Sequence, residues 1–381
     1  MRVAVLGGGP AGAFTAERLA AAGVSTILID EKLAWEKPCG GGLTYKAYRE
    51  YPFLIENAAS KRFVSETTLA APGAGTVNLK LDHPIVIYSR KELNGLLLER
   101  AAKAGAQVEK TRVTAMERSG TGWRISTSGG AVDADHCVIA MGARNPLRDY
   151  GTQLSGADTM SAMGYYVAGE QAGIDIQFLP DLAGYIWVFP RCGHMSVGIC
   201  GKGEPAGSLR KRLEGYMEER GLKFAGAEFY SHLLPCLETA AWKGNRVAGD
   251  GWTAVGDAAG LVDPITGEGL YFALRSADLA AGEILEGEGP SGEQAYRQLL
   301  RRDFMHDLEF GSRLAKRIFY GRFLFGRVPA RMVQFTRRSQ LFKAAIQDLF
   351  AGTQSYVGLK DRLLRNLNGS LMEVALSPLK R

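Results

Sequence analysis

The first thirty residues, MRVAVLGGGPAGAFTAERLAAAGVSTILID, restrict the possible folds more than any other stretch of the chain. Arg2 to Leu6 reads as a short buried strand, and Gly7-Gly8-Gly9-Pro10-Ala11-Gly12 follows it without a spacer. An alanine-rich helical run from Ala13 to Ala22 is closed by Gly23, and Ser25 to Ile29 reads as a second strand ending in Asp30. Strand, glycine turn, helix and strand, with an acid at the second strand's tip, is the pattern of a dinucleotide-binding unit. Gly7 makes the turn, Gly9 admits a pyrophosphate to the backbone, and Gly12 lets helix and strand pack closely. The helix start adds N–H groups and a partial positive charge, and Asp30 can accept hydrogen bonds from a ribose diol. The competing reading is a plain structural turn, and the complete unit around the motif favours the dinucleotide.

A length of 381 residues suggests two domains and a tail. Forty-eight glycines are more than a compact chain needs for turns alone, so part of them is expected to let backbone approach a ligand. No apolar run reaches the roughly 20 residues that span a bilayer. The strand at residue 2 leaves no room for a signal peptide, so a cytoplasmic protein is expected. Five scattered cysteines without a CxxC pair indicate neither a disulfide framework nor a zinc site, and no metal is expected. The net charge of +6 is uneven, because residues 311–381 carry 14 Lys and Arg against 3 Asp and Glu. These cations interleave with aromatic and aliphatic residues, as in Arg317-Ile318-Phe319-Tyr320-Gly321-Arg322-Phe323-Leu324-Phe325. Such a mixture can seat helices on an anionic membrane surface, here the inner face, or form the solvated side of helices packed on the body. Nucleic acid is not expected, since no recognition module accompanies the charge.

Farther along, Lys37-Pro38-Cys39-Gly40-Gly41-Gly42-Leu43 can only be a loop. Residues 64–87 alternate as strands around Ala-Pro-Gly-Ala-Gly, and Ser89 to Ala104 has helical spacing of Leu93, Leu96, Leu97 and Ala101. Gln107 to Ser128 reads as strands, and Ala134 to Ala140 as a buried strand leading to Gly142. From Ser161 to Gly201 the period is two, predicting four antiparallel strands, followed by a helix over Ser208–Arg220. Arg246 to Val255 returns to the first fold and delivers Gly256-Asp257-Ala258-Ala259-Gly260, then Pro264-Ile265-Thr266-Gly267-Glu268-Gly269. A helix over Leu270–Leu285 follows, and the remainder reads as helical to about Leu367.

By the second glycine loop the motifs resemble those of FAD-dependent oxidoreductases related to aromatic hydroxylases, and among them the geranylgeranyl reductase family. The Gly7–Asp30 unit and the Gly256–Gly269 segment are similar to its two flavin fingerprints. The Pro38–Gly42 loop resembles its cysteine–glycine loop, and Tyr185-x-Trp187-x-Phe189-Pro190 its aromatic strand motif. Residues 348–364 also resemble its C-terminal helices. The resemblance implies an α/β architecture: a Rossmann-like FAD-binding domain (1–65, 85–150 and 245–300), an inserted antiparallel β-sheet substrate domain (66–84 and 151–244), and a helical C-terminal region (301–381). It implies non-covalent FAD along Gly7, Gly9, Pro10, Ala11, Gly12, Asp30, Glu31, Lys32, Cys39, Gly40, Gly41, Arg90, Val113, Gly142, Gly256, Asp257, Gly267, Glu268 and Gly269. Asp257 would accept a hydrogen bond from the ribityl chain. The Thr266–Gly269 turn would reach the isoalloxazine by its backbone, with Glu268 as an alternative proton relay. Hydroxylase relatives carry an acid before the glycine where this chain has Met141-Gly142.

Cys39, Tyr185 and Trp187 are the catalytic candidates. A thiol among glycines can touch the flavin edge or substrate, or donate a proton; its structural alternative is a small residue filling a gap. Tyr185, Trp187 and Phe189 share one strand face, which can line an apolar substrate channel or be ordinary sheet core. Cys137, Cys192, Cys200 and Cys236 read as buried small residues, and the five dispersed histidines as structural or surface groups. The family implies reduction of carbon–carbon double bonds in a geranylgeranyl or polyprenyl substrate. NADPH bound transiently, or an electron-donor protein such as a ferredoxin, would supply the electrons. The alternatives are an aromatic-hydroxylase-like monooxygenase and a halogenase, the latter disfavoured because Tyr185-Ile186-Trp187-Val188-Phe189-Pro190 stands where Trp-x-Trp-x-Ile-Pro is expected.

Overall fold

The computed structural model describes residues 1–287, 292–359, 361–362 and 365. The chain divides into two compact units: residues 1–37, 90–159 and 233–309 form the first, and 38–89, 160–232 and 310 onward the second.

The first unit is built on a six-stranded sheet. Its strands are ordered Ala248–Gly249, Trp252–Ala254, His136–Ile139, Arg2–Leu6, Ser25–Asp30, Gln107–Lys110. All pairings are parallel except the first, which is antiparallel. Val3, Ala4, Val5 and Leu6 are fully buried, as a central parallel strand covered on both faces requires. The glycine-turn helix spans Pro10–Ala21, three residues earlier than its alanine run suggests, because Pro10 with its fixed φ serves as the first helical residue. The strands Val113–Ser119, Gly122–Thr127 and Gly130–Ala134 form a separate antiparallel meander, whose third strand the sequence reading missed.

The second unit carries an eight-stranded sheet ordered Glu228–Pro235, Thr159–Ala168, His194–Lys202, Ala183–Pro190, Ile174–Phe178, Lys61–Ala71, Gly75–Tyr88, Gly42–Leu43. The four predicted strands between 159 and 202 are present, yet the sheet is mixed, since Ile174–Phe178 runs parallel to Lys61–Ala71. Ile186, Val188, Val197 and Ile199 pack beneath the helix Ala206–Glu219 through Leu209, Leu213, Tyr216 and Met217.

The boundary lies at residues 37 and 38, where the sequence suggested 65 and 66. Gly42–Leu43 pairs with Gly75–Tyr88, and Lys61–Ala71 pairs with it as one continuous strand, which draws the whole 38–89 segment to the second sheet. The region after 300 is not a separate helical domain in this division: residues 301–309 go with the first unit and 310 onward with the second. Nor is it wholly helical, because a two-stranded hairpin, Arg322–Phe323 with Gly326–Arg327, interrupts it. The helices Val328–Arg338 and Gln340–Phe350 follow. Arg337 Nη2 donates to the carbonyls of Ala74 and Thr76, and Gln347 to that of Lys80, so these helices are packed on the sheet. Of the expected helical run to Leu367, residues 360, 363–364 and 366–367 lie outside the described residues. No helix among the described residues is long and apolar enough to cross a membrane.

Candidate functional site

In the first unit the glycine turn is closed by packing. Gly7 has φ +112°, and a Cβ there would fall 2.3 Å from the Ala140 carbonyl oxygen. A Cβ on Gly12 would fall 1.9 Å from Gly7 O, so both residues must be glycine for strand and helix to meet. Gly9 differs: no atom of the described residues lies within 4 Å of where its Cβ would be. It is the N-cap of the helix and carries no side-chain cap, and the first turn holds no acid. The helix therefore presents its unpaired N–H groups and positive end beside open space.

Asp30 is more engaged than its position suggests. Oδ2 accepts the Gly8 N–H at 2.8 Å, and Oδ1 accepts those of Lys32 at 2.8 Å and Leu33 at 2.6 Å. A carboxylate has about four acceptor sites, so one remains for a ribose hydroxyl. Glu31 is exposed, 3.8 Å from Arg112 Nε, and the Lys32 ammonium lies over the Trp35 ring. Val113 is buried at the start of the meander.

Arg90 opens the helix Arg90–Lys103 and is 4% exposed. Its backbone N–H goes to Glu36 Oε1 at 2.9 Å and its Nη2 to Asn94 Oδ1 at 3.3 Å, while Nε has no partner among the described residues. A buried guanidinium nitrogen without an acceptor is costly, and an anionic cofactor is the kind of group that satisfies it.

The second glycine segment forms a 3₁₀ turn, Gly256–Ala259, with the Gly256 N–H held by Ser276 Oγ at 3.0 Å. Asp257 Oδ2 lies 3.2 Å from Lys37 Nζ, and that ammonium also borders Gly142. Glu268 Oε1 accepts the Tyr271 N–H at 2.7 Å, capping the helix Leu270–Glu286. One oxygen of its carboxylate is thus engaged as a cap, and the turn's backbone is largely bonded within itself, Gly267 N–H to Asp263 O and Glu268 N–H to Thr266 Oγ1.

Cys39, Gly40 and Gly41 belong to the second unit. The Cys39 Sγ accepts the Gly41 N–H at 3.3 Å, and the thiol is half-buried. Gly41 has φ +83°, and a Cβ there would meet the Tyr88 carbonyl oxygen at 2.0 Å. A Cβ on Gly42 would touch the Phe189 ring at 2.9 Å, so the loop lies on that ring. Two polar side chains hold its Cys39 carbonyl, and a third supports one of them. Arg191, 1% exposed, donates through Nη2 to the Cys39 carbonyl and lies 5.0 Å over the Tyr166 ring. Ser196 Oγ donates to the same carbonyl at 3.3 Å, receives the Trp187 indole N–H at 3.4 Å, and lies 2.7 Å from the Tyr230 hydroxyl. Burial holds the Tyr230 phenol well above its ordinary pKa, so it serves as a neutral hydrogen-bonding group. Trp187 fits because its neighbour across the strands is Gly198, where a Cβ would fall 2.2 Å from the indole. Tyr185 and Trp187 lie edge to face at 6.3 Å, on the strand face opposite Ile186 and Val188.

Residues 1–165 match the family described as pyridine nucleotide-disulphide oxidoreductase. The chain is 31% identical to the geranylgeranyl diphosphate reductase of Oryza sativa subsp. japonica, covering 79% of this chain and 70% of that protein. It belongs to the geranylgeranyl reductase family. The enzyme of the same name from Nicotiana tabacum is also 31% identical, over 75% of this chain, and the chain spans 66% of its length. A geranylgeranyl bacteriochlorophyll reductase-like structure from Thermoplasma acidophilum shares the fold, with a TM-score of 0.80 and 22% identity over 96% of this chain and 98% of that one.

Membership in this family of FAD-dependent oxidoreductases accords with the cradle. Open space at Gly9, an uncapped helix end and the orphaned Arg90 Nε are what a dinucleotide's phosphates require. Four residues that contact the motifs or their supports were not singled out by the sequence reading: Lys37, Arg191, Ser196 and Tyr230. Lys37 directly precedes the cysteine–glycine loop and Arg191 directly follows the aromatic motif, so adjacency to a motif was the available signal. Ser196 and Tyr230 gave none. Among the other cysteines, Cys137, Cys200 and Cys236 are buried as expected, but Cys192 is exposed, because it sits in the turn between Ala183–Pro190 and His194–Lys202. Among the described residues no cluster of three His, Cys, Asp or Glu is placed to hold a metal ion.

Proposed function

We propose that this protein reduces carbon–carbon double bonds of an isoprenoid chain, of the geranylgeranyl or polyprenyl class, using FAD. The observation that carries the reading is the Cys39 loop, fixed through its carbonyl by Arg191 and Ser196 and seated on Phe189 of the aromatic strand. A thiol carried on a loop held this firmly beside an aromatic strand suits an apolar substrate that needs orientation and a proton. The names of the relatives support the same substrate class.

Bound FAD, once reduced, supplies the hydride to one alkene carbon. The protein's share is to bind, orient and protonate. Gly9, the helix start at Pro10 and Ala11, and Arg90 would hold the phosphates; Asp30 would hold the adenosine ribose. Lys37 pairs with Asp257 at 3.2 Å, and Asp257 would accept a hydrogen bond from the ribityl chain. Tyr185 and Trp187 would line the substrate's path, and the Cys39 thiol would deliver the proton to the second alkene carbon. NADPH or a reduced ferredoxin would supply the electrons, and the basic C-terminal stretch would meet an anionic membrane, where such lipids reside.

The test is anaerobic. The purified protein is reduced with dithionite and mixed with geranylgeranyl substrates. Flavin reoxidation with a mass gain of two hydrogens per bond is expected, and Cys39→Ala should slow it. Offering NADPH and ferredoxin separately in place of dithionite identifies the donor. Reoxidation that waits for oxygen, with a hydroxylated product, would overturn the reductase reading in favour of a monooxygenase.

A further inference from the structure

The hairpin at Arg322–Arg327 breaks two rules of soluble proteins at once. Leu324 and Phe325 form its two-residue turn with φ +46° and +60°, in the left-handed region that bulky side chains avoid. A turn of this kind calls for Asn-Gly or a similar pair. In its place stand two large apolar residues, and both are exposed: Phe325 entirely, Leu324 to 44%. The surrounding structure enforces this arrangement. Arg331 donates from Nε to Phe323 O at 3.3 Å and from Nη2 to Leu324 O at 2.5 Å, clamping the carbonyls at the start of the turn. The Val328 N–H closes the hairpin onto Gly321 O at 3.0 Å. Backbone strain that serves only to display apolar side chains to water does nothing for the fold, and is the kind found at functional surfaces.

The sequence around it is one-signed in charge, and the acid at the hairpin, Asp181, is held by Arg327. Between Glu309 and Asp348 the sequence holds nine Lys and Arg and no Asp or Glu. Lys316, Arg317, Arg322 and Arg327 are exposed on the helix end and the hairpin. The helices on the C-terminal side are packed on the sheet, while the apolar tip is outward, with Phe325 fully exposed. The hairpin is also tied to the aromatic strand. The Tyr320 hydroxyl accepts the N–H of Ala183, the first residue of Ala183–Pro190, at 3.2 Å. Arg327 Nη1 pairs with Asp181 at 2.6 Å, two residues before that strand.

We propose that this hairpin is a membrane wedge: Leu324 and Phe325 enter the acyl region of an anionic bilayer while the flanking cations meet lipid headgroups. This rests on the membrane reading of the basic stretch and is independent of the reaction assigned above. It puts the start of the aromatic strand next to the lipid, the source of an isoprenoid substrate.

The test measures binding of the full chain to phosphatidylcholine vesicles with and without phosphatidylglycerol, over a range of salt. The native protein should bind the anionic vesicles, with some affinity surviving high salt because part of it is apolar. Leu324→Asn combined with Phe325→Gly supplies the residues the turn geometry prefers. It should lower affinity about tenfold or more without lowering the melting temperature. Unchanged vesicle affinity in that variant overturns the proposal. If only Arg317→Gln with Arg322→Gln weakens binding, charge alone makes the contact: the wedge falls and the membrane reading stands. If the native protein ignores anionic vesicles, both fall, and the double-bond assay still judges the reductase reading separately. A dimer in solution that the hairpin variant dissociates, with vesicle affinity unaltered, would assign the tip to a second copy of the chain and overturn the wedge.

Discussion

Arg191 shows how much of this site depends on single contacts made at long range. Its guanidinium is buried and serves the Cys39 carbonyl, 152 positions away in sequence. Arg191→Met leaves that carbonyl without its charged donor, at a cost of roughly 1–3 kcal/mol in chemical denaturation. The looser loop should expose its thiol, so alkylation of Cys39 is expected to accelerate relative to the exposed Cys192, measured by mass spectrometry in one sample. Unaltered Cys39 reactivity would mean that Ser196 and Phe189 suffice to hold the loop. His136 offers a pH test. Burial is the main cause lowering its pKa to about 4, partly opposed by Asp250, and its Nε2 pairs with Thr253 Oγ1 at 3.0 Å. Above the unfolded value near 6.5 the ring is neutral in both states and pH has no effect through it. Below 6.5 the unfolded chain takes up the proton first, so stability is lost as pH falls toward 4, by up to about 1.4 kcal/mol per pH unit. Urea titrations of His136→Gln should show a flatter acid limb. None of these partnerships has a spacing that sequence could reveal; Cys39 and Trp187 were legible from their motifs, while their supports were not.

At the scale of elements, the strand–turn–helix unit separates two uses of glycine that its motif merges. Gly12→Ala drives a methyl into Gly7 O, and the apoprotein should lose several kcal/mol or fail to fold. Gly9→Ala meets no atom of the described residues, so apoprotein stability should hold while FAD affinity falls, read from flavin absorbance after gel filtration. Equal loss of stability in both would refute the distinction. The parallel strands were readable as short, continuously buried apolar runs, and the helices at 90–103 and 270–286 from apolar residues at a period of 3.6. Other strands were not. Glu228–Pro235 sits at a sheet edge and is largely half-exposed, so its alternation is faint. The Arg322–Arg327 hairpin lies in a stretch whose mixed aromatic and basic residues suit a helix, and its turn lacks the glycine or asparagine that announces one.

For the molecule as a whole, cofactor and fold are thermodynamically linked. If the cradle binds FAD only when folded, FAD at a hundredfold excess over its Kd should stabilise the protein by about 2.7 kcal/mol. Thermal melts at increasing FAD should then shift upward, and the shift should be absent at the same concentrations in Gly9→Ala. Two units were legible in the change of period near residue 160, but not the true course of the chain, because strand partners such as Gly42–Leu43 and Gly75–Tyr88 are short or distant. The chain crosses between its units five times, after residues 37, 89, 159, 232 and 309. That path sets a timetable for synthesis. The strand Arg2–Leu6 leaves the ribosome early, but its partner His136–Ile139 and that strand's neighbour Trp252–Ala254 come much later. At roughly 5–20 residues per second, the nascent first sheet keeps an apolar edge uncovered for about 10–50 s. A newborn chain of this design is therefore a natural client for chaperones, and a gene cut between its two units would encode neither of them.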